Sequence, residues 1–269
     1  MSSPALIAIM IILLAVIVYL IFRPRPLPAL RKLTAAEGKL LLQHVHYYRA
    51  LETDDRKRFV ERMELFWQRV KITGADTGVE PLDRVLVAAC AVMLTFGFEH
   101  WNQYPRLREV LLYKDDFREE DFATHGQDRD VEGMVGEGMM SDVLLLSQPA
   151  LRDGFYYAGP ENTGIHEFAH LLDMADGETN GIPSYFLDGD NRAAWVETRR
   201  KTSEAIERGD SDLDDYALTN GAEFFAVAAE YFFDDPDYLA EEHPELLALL
   251  ENVFRQDLVE GELEREEEE

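Results

Sequence analysis

The sequence predicts an α+β domain, mainly helical with a small sheet, preceded by one N-terminal transmembrane helix. Three observations predict it. Residues 5–22 form an apolar run without a charge. Apolar residues recur at helical spacing over most of the remaining chain. Two short runs, residues 108–113 and 142–147, are rich in Val and Leu and read as strands. The chain has 269 residues, 46% of them hydrophobic, which is enough for a sizeable core.

The apolar run comes first. Eighteen residues at 1.5 Å rise span about 27 Å, just enough to cross a bilayer core. A cleaved signal peptide needs a basic stretch before such a run and a small-x-small site after it. Nothing basic precedes Ala5, and Arg23-Pro24-Arg25-Pro26 follows directly, so the sequence favours an uncleaved, single-pass anchor over residues 1–23. Arg23, Arg25, Arg31 and Lys32 all lie after it. The positive-inside rule then places the following domain in the cytoplasm, at the inner (cytoplasmic) membrane. Residues 24–33 read as a stiff Pro- and Arg-rich linker whose arginines reach anionic headgroups.

The domain itself is expected over residues 34–257. Thr34-Ala35-Ala36-Glu37 is a capping-box pattern and starts a helix to about Ala50. A second helix begins at Thr53 or Asp54, carries Phe59, Met63, Phe66 and Val70 at helical spacing, and stops near Gly74. A third, residues 82–96, is apolar nearly all round and reads as the central core helix. The two strands follow, separated by a Gly-rich polar stretch, residues 126–138, that reads as a hairpin or surface loop. Helices return over residues 163–175, 191–208, 221–233 and 244–256. Residues 258–269 form an acidic tail expected to be disordered.

Composition excludes some functions. There are 53 acidic and 26 basic residues, a formal net charge of −27, so nucleic-acid phosphates are repelled. The single cysteine, Cys90, cannot form an intrachain disulfide and sits in an apolar run, where it reads as a core thiol.

The chemistry is carried by His166-Glu167-Phe168-Ala169-His170. Two histidines four apart on a helix lie one turn apart on one face and can reach one ion. Glu167 points about 100° around the helix, too far to ligate easily but close enough to reach a metal-bound water, so it reads as a general base. With 7 histidines in the chain, this pattern arises by chance in roughly 2% of such sequences, so context has to decide. The flanks are small or apolar, and histidines inside such a helix need polar partners, which one Zn2+ per chain supplies. A catalytic site needs a third protein ligand. Asp173 and Asp176 stand where a His-extended motif would need Gly and His, so the ligand is a downstream carboxylate. Glu178, Glu197, Glu204, Glu207, Glu223 and Glu230 are candidates. Glu197, Glu204 and Glu207 lie on an Arg-rich polar helix. Glu223 and Glu230 stand one heptad apart on an otherwise apolar helix, where a carboxylate needs a cation or a donor. One of them suits the metal and the other suits orienting a histidine.

His166-Glu167-Phe168-Ala169-His170-Leu171-Leu172-Asp173 with Asn180-Gly181-Ile182-Pro183 resembles the Mlc titration factor A family of zinc peptidases. So do Ala222-Glu223-Phe224-Phe225-Ala226-Val227 and Glu230-Tyr231-Phe232-Phe233. The block from Tyr216 to Ala226 also resembles the catalytic domain of anthrax lethal factor. The resemblance covers residues 140–235 most strongly. It implies a zincin-like metallopeptidase fold, with His166, His170 and Glu223 as zinc ligands and Glu167 as catalytic base. It further implies Tyr216 as an oxyanion donor, with Asp173 in a supporting or helix-capping role and Glu230 orienting a ligand. The implied activity is hydrolysis of peptide bonds in a peptide or protein substrate. The rival reading is a zinc-containing regulatory protein that binds a protein partner with little or no hydrolysis. A purely structural zinc site is disfavoured, because it has no need of a base beside its ligand.

Overall fold

The structure is a computed structural model that describes residues 10–14, 30–100, 104–115, 133–135, 142–157, 159–183, 186–187 and 189–259. Of the expected membrane segment, only Met10 to Leu14 are described, as helix with exposed side chains; the rest lies outside the described residues. No helix among the described residues is long and apolar enough to cross a membrane. Most of the linker and residues 260–269 of the acidic tail also fall outside them.

The domain begins where the sequence places its capping box. The Thr34 side chain accepts from Glu37 N, and the Glu37 carboxylate accepts from Thr34 N at 2.9 Å, opening α1 (Ala35–His44). Lys32 and the Leu33 amide both donate to Glu64, tying the start of the domain to the helix after next. The expected single helix to Ala50 is broken: Val45 is extended and fully buried, and α2 (His46–Ala50) restarts after it. Neither Pro nor Gly marks that break in the sequence, so burial of Val45 in the core overrides local propensity there.

Helix α3 (Thr53–Arg69) buries Phe59, Met63 and Phe66 on one face, as their spacing predicts. It ends at Arg69 rather than near Gly74, because Lys71–Ala75 is a strand, β1. Val70 and Ile72, buried, alternate with Lys71 and Thr73, which is the two-residue period of a half-buried strand. Helix α4 (Pro81–Met93) is the central core helix: every residue from Val85 to Met93 is buried. Cys90 lies in it as a buried free thiol whose pKa burial raises. Gly164 lets a second helix approach it closely, since a Cβ there would lie 2.5 Å from Cys90 Sγ.

The strands β2 (Glu109–Tyr113), β3 (Gly133–Val135) and β4 (Val143–Ser147) complete a four-stranded sheet in the order β1-β2-β4-β3. β1, β2 and β4 run parallel, and β3 is antiparallel to β4, pairing Met134 with Leu145. Val110, Leu112, Leu144 and Leu146 face the helical core. Leu111, Tyr113, Met134, Val143 and Leu145 cluster on the other face. β4 is therefore interior, and β3, inside the stretch expected to be a hairpin or surface loop, is an edge strand, as is β1.

Helices α5 (Gln148–Tyr156) and α9 (Pro236–Glu242) were not expected. Their caps are Ser147, which accepts from Ala150 N, and Asp235, which accepts from Tyr238 N. The remaining helices, α6 (Thr163–Asp173), α7 (Gly189–Arg208), α8 (Gly221–Asp234) and α10 (Pro244–Phe254), match the expected ones to within a few residues.

Candidate metal centre

Helix α6 is fixed at its N-terminus by Asn162, which is fully buried. Its side chain accepts from Ile165 N at 3.1 Å and donates to Gly154 O at 3.0 Å. Ile165, Phe168, Ala169 and Leu172 bury their side chains in the core. His166 and His170, on another face, remain partly open. Helix α8 packs against α6. Its cap, Asn220, accepts from both Ala222 N and Glu223 N, which places the Glu223 carboxylate in the positive first turn of the helix.

The side chains meet between these helices. Glu223 Oε2 lies 2.9 Å from His166 Nε2 and 3.2 Å from His170 Nε2. The three donor atoms lie within 4.8 Å of one another, and among the described residues no other group of three His, Cys, Asp or Glu converges this way. Zinc–ligand bonds of about 2.0–2.2 Å put tetrahedral ligand atoms roughly 3.3 Å apart, so these three residues fit such an ion. On the other side of the ring, His166 Nδ1 donates to Glu230 Oε1 at 2.7 Å, and Glu230 Oε2 accepts from Asn162 N at 2.6 Å.

Burial and charge shape the titrations. Burial alone would lower the His166 pKa, but the Glu223 and Glu230 carboxylates beside the ring raise it to about 10. Burial acts to raise Glu223, but the two histidines outweigh it and hold the carboxyl well below the usual range. Burial raises Glu167 to about 7, against the pull of His170 and His166. One turn beyond Glu230, burial and that residue's charge push the Asp234 pKa well above its ordinary value.

Glu167 is 5% exposed, and its Oε2 has no hydrogen-bond partner among the described residues. It borders a cavity of about 860 Å³ that is also lined by His166, Tyr216, Glu230 and Gly133. Tyr216 stands on a 3-10 turn, Asp215–Leu218, started by Asp214, whose carboxylate accepts from Tyr216 N at 2.8 Å. Its ring centroid is 6.0 Å from that of His166, and the residue is 51% exposed.

The structure thus brings together His166, Glu167, His170, Glu223, Glu230 and Tyr216. Asp173 does not join them. Its carboxylate accepts from Gly181 N at 2.9 Å, while Gly181 O accepts from Trp195 Nε1. Gly181 lies against the Gly221 backbone at the start of α8, so Asp173 ties the end of α6 to the first turn that carries Glu223. The other candidate carboxylates go elsewhere: Glu197 and Glu204 pair with Arg200, and Glu178 accepts from Asn180. Sequence reasoning missed two residues of this site. Asn162 caps α6 and its amide also holds Glu230, a pairing across 68 residues that no local pattern announces. Gly133 lies in the stretch expected to be a hairpin or surface loop, and a Cβ there would lie 2.5 Å from Glu167 Cγ.

The sequence model of the glucose-regulated metallo-peptidase M90 family matches residues 24–255. The chain belongs to this family. An uncharacterized protein of Synechocystis is 28% identical over 80% of this chain and 82% of its own. Mlc titration factor A of Escherichia fergusonii is 31% identical over 73% of this chain and 77% of its own. That of Salmonella arizonae is 30% identical, over 77% and 86%. For an M90 member the trio between α6 and α8 is where a metal is expected, and zinc suits two imidazoles and a carboxylate.

Proposed function

We propose that this protein is a membrane-anchored zinc metallopeptidase. The observation that carries the reading is the convergence of His166 Nε2, His170 Nε2 and Glu223 Oε2 beside a buried carboxylate, Glu167, whose Oε2 lacks a partner among the described residues. His166, His170 and Glu223 would hold one zinc ion. Bound there, zinc supplies a Lewis acid that acidifies a water and polarises a carbonyl. Glu167 takes the water's proton and delivers it to the leaving amine. The Tyr216 hydroxyl donates to the oxygen on which negative charge develops. Glu230 keeps Nδ1 of His166 protonated, so that Nε2 offers its lone pair to the metal. An extended substrate pairs with β3, whose side away from β4 carries no strand among the described residues. Val143 to Leu146 cannot offer such an edge, because β4 lies between β2 and β3 in the sheet.

The test uses the full chain in detergent. Bound zinc is measured, and a mixed peptide library is assayed with wild type and Glu167→Gln. Zinc retained by both, with cleavage lost in the variant, is the expected result. Equal cleavage removes Glu167 from its role. The anchor reading rests on the uncharged run and the four basic residues after it, and a reporter fused to the C-terminus tests whether the domain is cytoplasmic.

A second reading is favoured by the name of the relatives, which speaks of titrating Mlc. In it, the protein binds a regulatory protein partner and hydrolysis is incidental. Zinc bound without cleavage by either form would favour it.

A further inference from the structure

We infer that the Tyr231 hydroxyl is the positioning group for Tyr216, so that one helix, α8, aligns the oxyanion donor with the metal ligand it also carries. The inference rests on the peptidase reading and on the role proposed there for Tyr216, and it adds a positioning residue to them.

Tyr216 stands on a short turn with little burial. Of residues 211–220, only Leu213 and Ala217 are buried. The turn has few bonds of its own: Ala217 N donates to Asp214 O at 3.1 Å, and Thr219 N donates to Tyr216 O at 3.0 Å. A single exposed 3-10 turn frays, and a hydroxyl on it wanders unless the backbone is held from outside.

Tyr231 supplies that hold. It is buried on α8, and its hydroxyl donates to Asp212 O at 2.9 Å. The Asp214 backbone bonds the same hydroxyl. The Asp214 carboxylate in turn accepts from Tyr216 N at 2.8 Å. Two steps of hydrogen bonding therefore lead from the core of α8 to the Tyr216 backbone. A second phenol acts beside the first. The Tyr238 ring, from α9, lies 5.4 Å from that of Tyr231, and its hydroxyl accepts from Asp212 N at 2.9 Å. Asp212 is exposed, so water could satisfy both its amide and its carbonyl. Two tyrosines on one such residue fix the path of the chain. Burial raises the Tyr231 pKa to about 12, so its hydroxyl stays neutral and keeps its proton to donate.

The place of Tyr231 on α8 gives the contact its consequence. Glu230, the residue before it, accepts from His166 Nδ1 at 2.7 Å, and Glu223 stands in the first turn of the same helix. Successive helical residues point about 100° apart, so Glu230 faces the metal site while Tyr231 faces the Tyr216 turn. The separation of donor and ligands is then set within one rigid element.

The experiment uses the full, zinc-loaded chain in detergent and one fluorogenic peptide. Bound zinc, kcat and KM are measured for wild type, Tyr216→Phe, Tyr231→Phe, Tyr238→Phe and the double variant Tyr216→Phe/Tyr231→Phe. Tyr216→Phe should lower kcat about a hundredfold, the usual cost of a lost oxyanion donor. Tyr231→Phe should lower kcat about tenfold, less than the roughly hundredfold cost of a displacement near 1 Å, with zinc content and KM unchanged. Tyr238→Phe should act in the same direction. The double variant should match Tyr216→Phe within about twofold, because a residue that works only through Tyr216 has nothing left to position. Hydrogen exchange gives a readout free of catalysis: the amides of residues 214–217 should exchange faster in Tyr231→Phe, and those of α6 should not. Wild-type kcat in Tyr231→Phe, or its tenfold loss repeated on top of Tyr216→Phe, would overturn the inference and leave the peptidase reading intact. Wild-type kcat in Tyr216→Phe would remove the donor role, and the inference with it. Faster exchange in the turn, without cleavage by wild type, would sustain the hold of Tyr231 and sink the peptidase. If Tyr231→Phe does not fold, Tyr238→Phe carries the same comparisons.

Discussion

Glu230 accepts a hydrogen bond from His166 Nδ1 at 2.7 Å, on the opposite side of the ring from Glu223. A carboxylate in that place fixes the tautomer and the plane of the imidazole, and so directs Nε2 at Glu223 and His170. Glu230 is itself held by the Asn162 amide at the start of α6, so the ligand, its support and the helix cap form one connected unit. Replacing Glu230 by Gln should weaken zinc affinity about ten- to a hundredfold, the usual cost of losing such a partner. Competition with a chelator of known affinity measures this. Unchanged affinity would remove Glu230 from the metal site.

Gly133 controls the position of Glu167 from the sheet edge. A Cβ added there would sit 2.5 Å from Glu167 Cγ and 2.9 Å from Oε1, so the side chain would have to move. Gly133→Ala should lower kcat by up to about a hundredfold while zinc content is kept, since misplacing a reacting group by about 1 Å costs that much. Wild-type kcat in this variant would refute the contact.

Gly181 has φ +68, and a Cβ there would lie 1.6 Å from the Gly221 carbonyl oxygen. Side-chain movement cannot relieve a clash with backbone. Gly181→Ala should therefore cost about 3 kcal/mol or more and displace the first turn of α8. Thermal unfolding and zinc content should fall together, because Glu223 lies in that turn. A drop in stability with zinc binding intact would separate the loop from the site.

These residues also show where the sequence was readable. His166 and His170 announce themselves because four residues is one helical turn, and local geometry alone makes them converge. Glu223 and Glu230 stand out because carboxylates are costly in an apolar helix, and that penalty is visible without a structure. Which of the two meets the metal depends on how α8 crosses α6, a tertiary fact that only the family resemblance anticipated. β1 was hidden because Val70 continues the apolar stripe of α3, so a helical and an extended reading overlap at that residue. β3 is a three-residue strand in a Gly-rich stretch, with almost no local preference, and it exists because β4 offers it a partner. The resemblance implied a supporting or helix-capping role for Asp173, but its partner could not be read from local sequence, since its acceptor function depends on the chain turning back at Gly181.

The domain start carries a prediction that is independent of the metal. Glu37 is buried and accepts from Thr34 N, from Thr34 Oγ1 at 2.8 Å and from Arg31. Burial would raise its pKa, but these donors outweigh it and hold the carboxyl below its ordinary value of 4.5. A carboxylate whose folded pKa is depressed contributes stability that is present above the unfolded value and disappears as pH falls through the folded one. Glu37→Gln removes the ionised acceptor of a capping box and should cost about 1 kcal/mol at neutral pH. The gap between wild type and variant should then close in acid, because below the folded pKa the wild-type side chain is neutral too. Denaturant midpoints of both proteins, taken in steps from pH 7 down through the acid range, measure this. A gap that keeps its size to the acid end of the series would show that the hydrogen bonds, and not the charge, hold α1 to the start of the domain.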